Sequence, residues 1–120
     1  MQVNIVEKKA FMSLRELVKF QILTHCYIEK VSLNDSELDC LALLSMEHPI
    51  EINEFCKKVV TDGIFKSTQT ARNCLVKLDD LKLLEKEGKN KKILHLSKSL
   101  LVYHQGNIVF NVKFGHVAST

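Results

Sequence analysis

Gln69, Thr70, Arg72 and Asn73 set four hydrogen-bonding side chains within five consecutive positions. Amides of glutamine and asparagine match the donor–acceptor edge of adenine in a major groove, and a guanidinium matches the two acceptors of guanine. Lys66 and Ser67 stand just before this run and Lys77 one turn beyond it. A second basic group, Lys89, Asn90, Lys91 and Lys92, suits phosphate oxygens or a minor groove. These side chains are the candidate DNA contacts. Asp79 and Asp80 follow closely; they read as a charge pair on a helix surface that would repel phosphates locally, rather than as a metal site.

Other chemistry finds little support. Cys26, Cys40, Cys56 and Cys74 have no CxxC spacing and each sits in an apolar, helix-like stretch, which predicts buried free thiols in a reducing compartment. His25, His48, His95, His104 and His116 are scattered without ligand spacing. His25 and Cys26 are adjacent, so on a helix they diverge and make a poor catalytic dyad. No phosphate-binding glycine loop, HExxH or GxSxG occurs. The expectation is a non-enzymatic protein with no cofactor and no metal.

The elements that must position these residues follow from caps and periodicity. Ser67 is a good N-cap for a helix from Thr68 to about Leu81, with Ala71, Cys74, Leu75 and Leu78 inward and Gln69, Thr70, Arg72, Asn73 and Lys77 outward. Leu83-Leu84 opens a strand, Ile93–Leu96 is its return, and residues 85–92 form a charged turn between them. Upstream, Asn34 and Glu37 mark a capping box for a helix over 34–46, with Leu38, Leu41, Ala42 and Ser45 as a narrow inward stripe. His48-Pro49 ends it. Ile50–Ile52 reads as a very short strand, Asn53 as the cap of a short helix ending near Val60, and Asp62-Gly63 as a turn. A long helix over 13–29 is apolar on more than one stripe, so two covered faces are expected. Leu100–Tyr103 and Ile108–Phe114 are expected to form a second hairpin around residues 105–107.

Length and composition fit this outline. The 120 residues suit a single domain, and 46% hydrophobic with 26% charged residues is ordinary globular composition. Residues 1–60 carry a net charge of −2 and residues 61–120 a net of +5, so the basic excess accompanies the candidate contacts. The N-terminal residues show no signal-peptide core, and no apolar run approaches membrane-spanning length. A cytoplasmic location, or a virion assembled from cytoplasmic parts, is expected, with no membrane partner.

The order helix, tiny strand, short helix, turn, polar-faced helix, basic-tipped hairpin resembles the winged helix-turn-helix family. The residues that carry it are Ser67–Asn73, Leu75, Leu78, Leu81–Leu84 and Gly88–Leu96. The resemblance implies an α+β fold in which Thr68–Leu81 is a recognition helix and residues 85–92 a wing. The family often has glycine where Lys82 stands. Leu17–Leu44 with Lys66–Asn73 is also similar to small winged-helix proteins of crAss-like tailed phages.

Three regions are therefore expected: an N-terminal lead and helix over 1–32, a winged helix-turn-helix over 33–97, and a C-terminal hairpin arm over 98–120. The function expected is a DNA-binding, transcription-regulator-like module with double-stranded DNA as partner. The alternative is a structural subunit of a tailed-phage virion, a connector, ring or capsid-associated protein that uses the fold to contact other phage proteins. Phe20, Tyr27, Ile28, Ile108, Phe110, Val112 and Phe114 are large apolar side chains outside the minimal winged helix, and they are expected to build a homo-oligomer interface.

Overall fold

The computed structural model describes residues 13–105, together with the backbone of two short strands, Val3–Asn4 (β1) and Val112–Lys113 (β5). Four helices and a three-stranded antiparallel sheet make a winged-helix-like α+β fold. In chain order these are α1 (Leu14–Ile28), α2 (Asp35–Glu47), β2 (Ile50–Glu51), α3 (Ile52–Thr61), α4 (Thr68–Asp80), β3 (Leu84–Glu87) and β4 (Ile93–Leu96). The sheet order is β2-β4-β3. Ile50 lies opposite Leu94 and Leu84 opposite Leu96. Buried Ile50, Leu84, Leu94 and Leu96 give the sheet its inner face.

Each helix starts where a side chain can take up the first unpaired N–H groups. Ser13 and Asn34 form complete capping boxes with Glu16 and Glu37. Ser67 caps α4 by accepting from the Thr70 N–H at 3.2 Å. The third cap differs from expectation: Glu51, not Asn53, caps α3 by accepting from the Glu54 N–H. The short strand hands the chain to the helix without a loop, since Ile52 N–H already donates to the Lys92 carbonyl from the end of the sheet. Asn53 therefore falls inside α3.

Three helices end alike. After α1, α3 and α4 the chain makes the paired 6→1 and 5→2 hydrogen bonds of a Schellman turn, with Lys30, Gly63 and Lys82 in the left-handed region. Lys82, at φ 60°, occupies the position where glycine is the unstrained choice.

Helix α2 is the centre of the molecule. Leu38, Cys40, Leu41, Ala42, Leu43, Leu44 and Ser45 are all buried, far more than a narrow stripe. It packs against α1, α3 and β4. Helix α1 rests one face on this core through buried Val18, Ile22 and Cys26 and leaves its other side outward. Leu78, Leu75 and Ala71 of α4 and Phe55, Cys56 and Val59 of α3 complete the core.

Among the described residues the expected second hairpin is not formed, and most of its second strand, residues 108–111 and 114, lies outside them. Leu101–Tyr103 has no strand partner, and Val112–Lys113 pairs antiparallel with Val3–Asn4 instead. The physical reason is a side chain that takes a strand's place. Gln21 of α1 donates to the Tyr103 carbonyl at 2.6 Å and accepts from the Tyr103 N–H at 2.8 Å. Leu100 is buried, and His104 hydrogen-bonds Ser45 of α2 at 3.0 Å. Residues 98–105 are thus an arm laid along the helices.

Candidate nucleic-acid interface

The α4 phase sorts its residues cleanly. Ala71, Cys74, Leu75 and Leu78 are buried, while Ser67, Thr68, Gln69, Thr70, Arg72 and Asn73 are exposed. The first turn contains no acidic side chain. Unpaired N–H groups and the helix dipole add positive potential at this end. Lys66 precedes the cap and is also exposed.

Several of these side chains already have partners. Ser67 Oγ serves the cap and touches the Thr70 hydroxyl at 2.9 Å. Gln69 Nε2 donates to Asn73 Oδ1 at 3.0 Å, one turn along the same face. That bond orients the two amides and leaves the Gln69 carbonyl oxygen and the Asn73 NH2 group to face outward as an acceptor and a donor. The Arg72 guanidinium donates to Asn53 Oδ1 of α3. Arg72 is thereby drawn toward the preceding helix.

Lys77 has a partner within the chain. Its ammonium meets both carboxylate oxygens of Glu37, at 2.8 and 3.0 Å. Burial pushes the Glu37 carboxyl up, but the Lys77 hydrogen bond and the Asn34 N–H outweigh it and hold the group below the usual carboxylate range. Lys77 joins α4 to the central helix and is not a free cation on the surface. Asp79 lies 3.9 Å from Lys86 of β3, and Asp80 is exposed.

The wing is a hairpin from β3 to β4, closed by the Glu87–Ile93 pair. Gly88 sits at φ 86°, and a Cβ there would come within 3.1 Å of the Ile93 side chain, so the turn needs glycine. Asn90 and Lys91 both take left-handed backbone at the tip. Lys89, Asn90, Lys91 and Lys92 are all exposed. Glu87, the nearest carboxylate in the chain, is 3.1 Å from His95 Nε2. The wing therefore ends in three lysines that form no ion pair among the described residues.

The remaining candidates divide. Tyr27 and Ile28 stand on the outward side of α1 and are exposed, whereas Phe20 is half-buried. Val112 lies in β5; Ile108, Phe110 and Phe114 fall outside the described residues. All four cysteines are free and buried. The thiols of Cys40 in α2 and Cys74 in α4 interact, which pushes the Cys40 thiol up and the Cys74 thiol down. Among the described residues no three His, Cys, Asp or Glu side chains are placed to hold a metal ion.

Asn53 and Glu37 were not legible as partners of the candidate face. Each acts on α4 from another element, 19 and 40 residues away in the chain, and no local pattern encodes that. Comparison with models of known protein families, with curated proteins and with solved structures gives no match. No helix among the described residues is long and apolar enough to cross a membrane.

Proposed function

We propose that the protein is a non-enzymatic, double-stranded DNA-binding module of the transcription-regulator kind, with α4 as the recognition helix and the β3–β4 hairpin as the wing. The observation that carries this reading is the exposed first half of α4. Its outward side chains are polar or basic, none is acidic, and the buried side is fixed on the core. Gln69 and Asn73 are the candidate base readers, and Thr70 and Arg72 flank them. Lys66, Lys89, Lys91 and Lys92 supply phosphate contacts, with Asn90 shaping the tip.

The test is fluorescence anisotropy with a labelled duplex over a range of salt concentrations. The reading expects binding that weakens steeply as salt rises. Lys77→Met is an informative control, because it should lower the melting temperature through Glu37 while leaving the salt slope unchanged. Absence of any binding to duplex DNA at low salt would contradict the proposal. A second reading, a structural subunit of a tailed-phage virion, draws its support from the exposed apolar side of α1, and it would then be preferred.

A further inference from the structure

Helices α2 and α4 are joined by an ion pair and, one turn further in, by two thiols. Lys77 of α4 meets both carboxylate oxygens of Glu37 of α2, at 2.8 and 3.0 Å. Residues three apart in a helix share a face. Cys40 stands three residues into α2 from Glu37, and Cys74 three residues back along α4 from Lys77. The ion pair therefore sets the register that brings the two cysteines to the same contact, and their thiols interact there. The two contacts step in opposite directions along the chain, so the helices run antiparallel through them.

This pair differs from the other two cysteines. Cys26 of α1 and Cys56 of α3 are buried, and burial is the main influence that pushes both thiols up and keeps them protonated. Cys74, at 7%, is the most exposed of the four, while Cys40 is fully buried. The interaction with Cys40 pulls the Cys74 thiol below its ordinary value against burial and Glu37, and the Lys77 ammonium adds to that pull. The thiolate is the reactive form of cysteine, so Cys74 is the nucleophile of the pair. Neither sulfur belongs to the exposed side of α4.

We propose that Cys40 and Cys74 form a redox modification site, a dithiol that a small hydroperoxide converts to a disulfide joining α2 to α4. The Cys74 thiolate attacks one oxygen of hydrogen peroxide and the O–O bond breaks. The sulfur becomes a sulfenic acid, and the other oxygen leaves as hydroxide and takes up a proton to become water. The Cys40 sulfur then attacks the Cys74 sulfur, the S–OH bond breaks, and the departing hydroxide takes the Cys40 proton as a second water. The two sulfurs together lose two electrons and the peroxide gains them. Cys74 is the chief influence that holds the Cys40 proton in the reduced pair, so oxidation of Cys74 also releases Cys40 to react. Peroxide is little larger than water and can reach a slightly exposed sulfur where a bulky disulfide cannot. The site does not depend on DNA binding.

Hydrogen peroxide added to the reduced full chain, followed by maleimide labelling in denaturant and peptide mapping without reductant, tests it. The mass should fall by two hydrogens, two of the four thiols should stop accepting label, and the peptides carrying Cys40 and Cys74 should be joined. Dithiothreitol should reverse all three changes, and Cys26 and Cys56 should label throughout. Cys40→Ala should lose the link and leave Cys74 as a sulfenic acid that dimedone traps. Cys74→Ala should abolish oxidation of Cys40. Mapping of the unsubstituted chain decides the matter even if a variant fails to fold. Four thiols that still label in full after peroxide overturn the proposal. So does a link from Cys40 to Cys56, whose charge Cys40 also feels, or a link between chains. A Cys40–Cys74 link that forms only in urea overturns it too, as does Cys74 carried to sulfinic acid while Cys40 stays free.

Discussion

Lys82 holds a left-handed backbone at φ 60° to complete the turn that leads α4 into the wing. A side chain there costs about 1 kcal/mol that glycine would not. Glycine also gives back some unfolded-chain entropy, so Lys82→Gly should stabilise by about 0.5 kcal/mol and raise the melting temperature by a few degrees. A lower melting temperature would show that the lysine makes a compensating contact. His48 carries a second prediction at this scale. Its Nδ1 accepts from the Leu96 N–H at 3.2 Å, and burial, then His95 and His104, push its pKa below the usual histidine value. The folded state thus favours the neutral ring. The stability this contributes is fully present above the unfolded pKa of about 6.5 and is lost as pH falls toward the folded value. Thermal melts at pH 7.5 and 5.5 should show a drop that is smaller in His48→Gln. An equal drop in both would place the acid sensitivity elsewhere.

At the scale of elements, α4 tests whether the helix phase is read correctly. Leu78 is fully buried and Gln69 exposed. Leu78→Ala should cost about 2–5 kcal/mol, while Gln69→Ala should cost about 0.5 kcal/mol or less. Equal losses in denaturant melts would mean that the wrong face is buried. This helix was legible because everything that defines it is local: a serine cap, apolar residues three and four apart, and a leucine-rich exit into the wing. The wing was legible for the same reason, from Gly88 and the apolar runs on either side. The spans and caps of α1 and α2 were legible too, but what covers their faces was not. Their apolar residues were found, but periodicity records which faces are apolar and not what covers them. α1 has the longer apolar pattern yet lies outside, while α2, with Glu37 and Ser45 among its buried residues, is enclosed by α1, α3 and β4. The arm escaped for a related reason. Its backbone partner is the side-chain amide of Gln21, 82 residues away, and strand pairing rules do not anticipate a glutamine that takes the place of a strand.

Over the whole molecule, the charge is distributed unevenly in space as well as along the sequence. Much of the acidic first half is spent on ion pairs and caps that join elements: Asp35 and Asp39 with Lys19, Glu47 with Lys58, Glu37 with Lys77. The basic excess of the second half is left at Lys66 and the wing tip, all exposed. Lys77 and Arg72, both read as DNA contacts from the sequence, also have partners within the chain, Glu37 and Asn53, so under the proposed DNA binding the electrostatic share would fall chiefly on the wing. The most direct test is the salt dependence of duplex binding by the intact protein and by the variant with Lys89, Lys91 and Lys92 all replaced by alanine. Every lysine–phosphate pair that is removed takes about 0.9 from the slope of log K against log salt. The account predicts a slope flatter by about 2–3 with little change in sequence preference. An intact protein that binds DNA with the same slope as the triple variant would take the wing out of the interface and contradict the account.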